Sequence, residues 1–120
     1  MANEITLSGS MTFQKGNVSA SMGKGGVRAD VAGTKYAEFV QDVGTSEEAL
    51  ELGDVATPGY VMIENLDATH FVSLRPASGA ADMIKIMPGE FAGPFMLAAA
   101  APFAIANTAA VKIRCLLIEA

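Results

Sequence analysis

The sequence predicts an all-β protein: a single-domain β-sandwich, jelly-roll-like, of about eight short antiparallel strands. Three observations carry this. Apolar residues recur with a period of two in short segments set about ten residues apart. None of the 120 residues falls in a long amphipathic helical pattern. Turn chemistry punctuates the segments, densest between Gly53 and Leu74, where Thr57-Pro58-Gly59 combines proline's fixed φ with a glycine free to take φ > 0, as a type II turn requires.

Residues 4–14 form the first predicted strand, with Ile5, Leu7, Met11 and Phe13 on one face and Thr6, Ser8, Ser10, Thr12 and Gln14 on the other. Gly9 falls on the apolar face and predicts a bulge or a close backbone approach. From Lys15 to Gly33 the glycines at 16, 23, 25, 26 and 33 fragment the pattern, which reads as a flexible segment with one or two thin strands. Gly23-Lys24-Gly25-Gly26 lacks both the glycine spacing and the closing Gly-Lys-Ser/Thr of a phosphate loop, and no helical pattern follows it. The domain therefore divides into residues 1–39, a strand plus a Gly-rich flexible segment, and 40–120, the main sandwich.

Strand character resumes at 34–43, with Tyr36 and Val40 offset from Phe39 and Val43 as if by a bulge. Thr45-Ser46-Glu47-Glu48 fits a helix capping box, but Ala49-Leu50-Glu51-Leu52 alternates, and a short strand is the better reading. Residues 60–64 and 71–75 are strands about an Asn65-Leu66-Asp67 turn, and 83–87 is a strand closed by Pro88-Gly89. Residues 91–97 follow, interrupted at Gly93-Pro94. The alanines at 98–101, just ahead of Pro102, are too few to nucleate a helix and read as a tight connection. Residues 103–106 and 110–119 end the set. In the last strand Lys112 and Arg114 share parity with Leu116 and Ile118, which predicts cover on both faces of its second half.

Composition narrows function by exclusion. A chain 51% hydrophobic and only 18% charged predicts buried subunit contacts, hence a homo-oligomer. Net charge is −5, and the bases are scattered apart from Lys15, Lys24 and Arg28, so no nucleic acid partner is expected. The longest apolar run, 95–106, contains Pro102 and falls short of the ~20 residues a membrane-spanning helix needs, so no membrane anchor is expected. The start of the chain shows no basic segment of the secretory kind, which points to synthesis in the cytoplasm. The lone Cys115 lies in an apolar run and reads as an inert buried thiol.

The chemistry of catalysis is not legible. His70 is the single histidine, too few for a metal site of the usual kind, and no cofactor is implied. Serine, histidine and aspartate are present without a nucleophile elbow. Asp42, Glu47, Glu48, Glu51 and Asp54 read as a solvated acidic face. No enzyme is expected. A carbohydrate- or receptor-binding sandwich would want exposed aromatic residues, and the chain has no Trp, two Tyr and six Phe, most in apolar strand contexts.

The runs Val43-Gly44-Thr45-Ser46-Glu47-Glu48-Ala49-Leu50-Glu51-Leu52-Gly53-Asp54-Val55, Thr57-Pro58-Gly59-Tyr60, Asn65-Leu66-Asp67-Ala68-Thr69-His70-Phe71-Val72, Pro88-Gly89-Glu90-Phe91 and Leu117-Ile118-Glu119 resemble small virion structural proteins of tailed bacteriophages. The likeness covers roughly residues 40–120, and its motifs are turns and strand edges. It implies a capsid decoration or cement protein located in the virion and made in the host cytoplasm, with a tail or fibre component as the near alternative. Its implied partners are further copies of itself, a trimer on local threefold positions, and the major capsid protein or another virion protein. The subunit contacts are expected at Ile5, Leu7, Met11 and Phe13, buried either in their own sandwich or, as the preferred reading, across a neighbour by strand addition.

Overall fold

The structure, a computed structural model, describes residues 4–97 and 101–120. Among the described residues the chain is all-β, with ten strands paired antiparallel and no helix. It forms two compact units, residues 1–32 and residues 33–120.

The first unit is a hairpin of β1 (Ile5–Lys15) and β2 (Val18–Ala29). The register runs from Ile5 opposite Ala29 to Lys15 opposite Val18. The segment expected to be flexible is thus mainly a twelve-residue strand. A ladder is made by backbone groups, so glycines that erase the side-chain period do not prevent it. Two of them shape it. Gly16 turns the chain at φ 58°, and Gly26, at φ 66°, lies where the register shifts between Leu7 and Gly9, so that Gly25 and Gly26 face Ser8 alone. That is the bulge Gly9 announces, with the extra residue on the partner strand.

The second unit, the body, holds β3 (Tyr36–Val43), β4 (Glu48–Ala49), β5 (Pro58–Asn65), β6 (Val72–Arg75), β7 (Ile84–Ile86), β8 (Phe91–Met96), β9 (Phe103–Ala106) and β10 (Val111–Glu119). They make two four-stranded sheets, β3-β10-β5-β8 and β4-β9-β6-β7. One apolar core draws on both: Val43, Val61, Ile63, Val111, Ile113, Cys115 and Leu117 from the first, and Val72, Leu74, Ile86, Ala104 and Ala106 from the second. The alternation is cleanest in β10, where Val111, Ile113, Cys115 and Leu117 are buried and Lys112, Arg114 and Leu116 are exposed.

Pro58-Gly59 is no turn but the start of β5, and Gly59 does not take the left-handed φ. Its missing side chain serves a close approach: a Cβ there would lie 2.9 Å from the Ile118 carbonyl oxygen and 3.0 Å from Ala120. The proline–glycine turn chemistry is realised instead at Met87-Pro88-Gly89-Glu90, with Gly89 at φ 75° and the Glu90 N–H donating to the Met87 carbonyl at 3.0 Å.

The bulge expected in β3 does not occur, and its ladder with β10 runs unbroken from Val43 to Tyr36. Tyr36 and Val40 are outward-facing apolar residues and Gln41 is an inward-facing polar one, which blurred the period. Gln41 is satisfied inside: its Nε2 donates to Ala49 O, and its Oε1 accepts from the Glu51 N–H, both at 3.0 Å. The strand expected over 49–52 shortens to β4, although Leu50 is buried. The second half of β10 is not covered on both faces, because Leu116 is 41% exposed. The connection expected at 98–101 falls mostly outside the described residues.

Candidate functional site

Cross-strand register decides which side chains share a face. On the hairpin, Ile5 stands opposite Ala29, Leu7 opposite Val27, Met11 opposite Met22 and Phe13 opposite Ala20, with Val18 beyond. The other face pairs Thr6 with Arg28, Thr12 with Ser21 and Gln14 with Ser19. The hairpin is therefore an amphipathic ribbon, and its apolar face is open to solvent in the single chain: Met11 is 72%, Phe13 51% and Met22 76% exposed. Ile5 and Leu7 are half-buried. The four residues expected to be buried thus share one face, but Met11 and Phe13 do not bury themselves within the chain. Sequence reading missed Val18, Met22 and Val27 on the same face; the mirrored spacing of Met11 and Met22 about the Gly16-Asn17 pair was the available signal.

The body has a second exposed apolar surface, the outer face of β3-β10-β5-β8. Register places Tyr36 beside Ile118, Leu116 beside Met62, and Met96 beside Tyr60, with Val40, Arg114, Glu64 and Phe91 in one row. Tyr36, Val40, Met62, Leu116, Phe91 and Met96 are each at least 40% exposed. Arg114 lies between Glu38 at 3.4 Å and Glu64 at 3.9 Å, and Lys112 pairs with Asp42 at 3.4 Å. All five charged side chains are about half exposed or more, so these pairs add little stability and leave the face with three carboxylates against two bases. A shallow depression of about 200 Å³ opens among Glu38, Met62, Glu64, Arg114 and Leu116.

The remaining polar chemistry holds loops. Asn65, buried, donates through Nδ2 to the carbonyls of His70 and Ile86 at 3.0 Å and accepts from the Asp67 N–H at 2.8 Å. Asp67 in turn accepts from the backbone N–H groups of His70 and Thr69, which lower its pKa. His70 Nδ1 meets Thr108 Oγ1 at 2.8 Å. Glu47 is not a solvated carboxylate: the Ser78 hydroxyl, the Gly79 N–H and Arg75 hold it, and in that order they lower its pKa. Arg75 is itself held by Asp82 and Glu47, which raise its pKa. Burial pushes the Cys115 thiol up to about 12, so at neutral pH it carries no thiolate to attack with.

Among the described residues no group of three or more His, Cys, Asp or Glu could hold a metal ion, and no helix is long and apolar enough to cross a membrane. No family model, curated protein or solved structure matches the chain. What these two faces can do chemically is exclude water against a complementary surface.

Proposed function

We propose that this protein is a structural component of a bacteriophage particle, a capsid decoration or cement protein that binds the shell and stabilises it. The observation that carries the reading is the β1–β2 hairpin. A two-stranded ribbon is at best marginally stable in water, and this one displays an apolar face, interrupted only where Gly9 stands opposite Lys24 and at Lys15, so it is a surface built to be covered. The resemblance of residues 40–120 to small virion proteins supplies the setting. The body's strand orders support the finer fold, a jelly-roll sandwich: β10 returns between β3 and β5, and β9 between β4 and β6, as two nested Greek keys require.

In this reading the function is contact and involves no catalysis. The protein oligomerises, bridges neighbouring capsid subunits, and adds many weak contacts whose repetition around the lattice resists internal pressure. The hairpin face built on Ile5, Leu7, Met11 and Phe13 makes the subunit contact. Particles assembled without the protein are expected to release their genome at lower temperature or under milder salt stress than complete ones. Equal resistance overturns the cement role and promotes a tail or fibre role, for which immunogold labelling of intact particles gives the location.

A further inference from the structure

We infer that the outer face of β3-β10-β5-β8 in one copy receives the apolar face of the β1–β2 hairpin of a second copy. This rests on the reading of the protein as an assembly component and names its first partner.

The two surfaces match in kind. The hairpin offers a ribbon about 35 Å long with Leu7, Met11, Met22 and Phe13 along one side, and the four-stranded face is about 14 Å across. Laying one on the other is ordinary sheet-on-sheet packing, in which apolar side chains from the two surfaces interdigitate.

Charge selects this pairing over its rivals. Between Lys15 and Arg28 the hairpin carries Lys15, Lys24 and Arg28 and no acidic residue, whereas residues 33–120 carry eleven acidic and five basic residues. The receiving face presents Glu38, Asp42 and Glu64, with 45–73% of each side chain exposed. Two hairpins packed face to face would instead bring bases together, because Lys15, opposite Val18, and Lys24, opposite Gly9, lie on the apolar side itself. A ribbon this narrow covers less than the roughly 800 Å² per partner of a standard interface, so a single junction is weak and stable association needs each copy both to give and to receive.

Sedimentation of the full chain from 1 to 100 µM tests this, with two double variants that place charges at exposed apolar positions. Met11→Glu/Met22→Glu blocks the hairpin, and Met62→Lys/Leu116→Lys blocks the face. The native chain is expected to self-associate, less so at 0.5 M salt than at 0.05 M. Each variant alone is expected to associate at least tenfold more weakly, and an equimolar mixture to associate more strongly than either variant alone but more weakly than the native chain, since one variant keeps a hairpin and the other keeps a face, which leaves one junction of the two. A variant whose circular dichroism melt departs from the native one is replaced by its serine counterpart at the same two positions.

A face-blocked variant that associates like the native chain means hairpin-on-hairpin packing and overturns the inference. So does a mixture that associates no more than either variant alone, and so does a native chain that is monomeric throughout. That last result leaves the particle-stability experiment standing, so the two readings fail separately.

Discussion

The hairpin and strand β10 are both antiparallel ladders with alternating side chains, yet the alternation ends differently. In β10 every second residue from Val111 to Leu117 is essentially inaccessible, because a second sheet lies over that face. In β1 the corresponding residues from Met11 onward stay open to water. Each apolar side chain buried in β10 contributes about 1.5–3 kcal/mol, and an exposed Met11 or Met22 contributes close to nothing until something covers it. Period two therefore identifies an apolar face without saying what covers it, and the cover can belong to another molecule.

If that contrast holds, substitutions in the body act on folding and those on the hairpin face act on association. The largest effect is expected at Gly93, where φ is 101° and an added Cβ would sit 2.5 Å from the Val61 carbonyl oxygen. Gly93→Ala combines backbone strain with a clash that no side chain can relieve, and should cost about 3 kcal/mol or more in urea unfolding. Gly79→Ala, at φ 76° with open space around it, should cost only about 1–2 kcal/mol. Equal costs at the two glycines would mean that the β5–β8 approach is not tight.

Next comes the core. Leu117→Ala should lose about 2–5 kcal/mol by transfer and cavity formation, whereas Met22→Ala should stay within about 0.5 kcal/mol of the native chain at concentrations where it is monomeric. A large loss at Met22 in the monomer would show that the ribbon face is already covered within its own chain.

The smallest effect is expected from Glu47. Its folded pKa lies below the ordinary 4.5, so its stabilisation is complete above about pH 4.5 and disappears as pH falls through the folded value. The difference in urea midpoint between the native chain and Glu47→Gln should be constant from pH 7 to 5 and shrink between pH 4.5 and 3. A difference that stays flat down to pH 3 would mean that the carboxylate is not held by Ser78, Gly79 and Arg75.

The sequence made the strands legible wherever side-chain chemistry dictates them. The alternation of β1, the β-branched run in β5 and the Asn65–Asp67 turn all follow from the residues. It failed where the backbone alone decides. Strand β2 is held by hydrogen bonds to β1 and has glycine at three of its twelve positions, so it left no period to read. Pro58-Gly59 carries turn chemistry, but the nearness of Ile118 and Ala120, sixty residues on, is what requires that glycine. Leu116 and Tyr36 look like core by type and stand outside by register. Of the candidate contact face, the period of β1 gives Ile5, Leu7, Met11 and Phe13, whereas the β2 half has no period of its own and is signalled only by the equal distances of Met11 and Met22 from the Gly16-Asn17 turn.

Strand β10 sits in the interior of its sheet, hydrogen-bonded to β3 on one side and β5 on the other, yet it leaves the ribosome after both of them. Until it emerges, β3 and β5 have unpaired edges toward the gap, and the core lacks Val111, Ile113, Cys115 and Leu117. Completion of the body therefore waits on a strand made after the two it joins, and is slow, since the pairings that complete it link segments far apart in the chain. During that interval the nascent chain is exposed to edge-to-edge aggregation. Expression yield should then depend more on temperature and synthesis rate than the stability of the finished fold would lead one to expect.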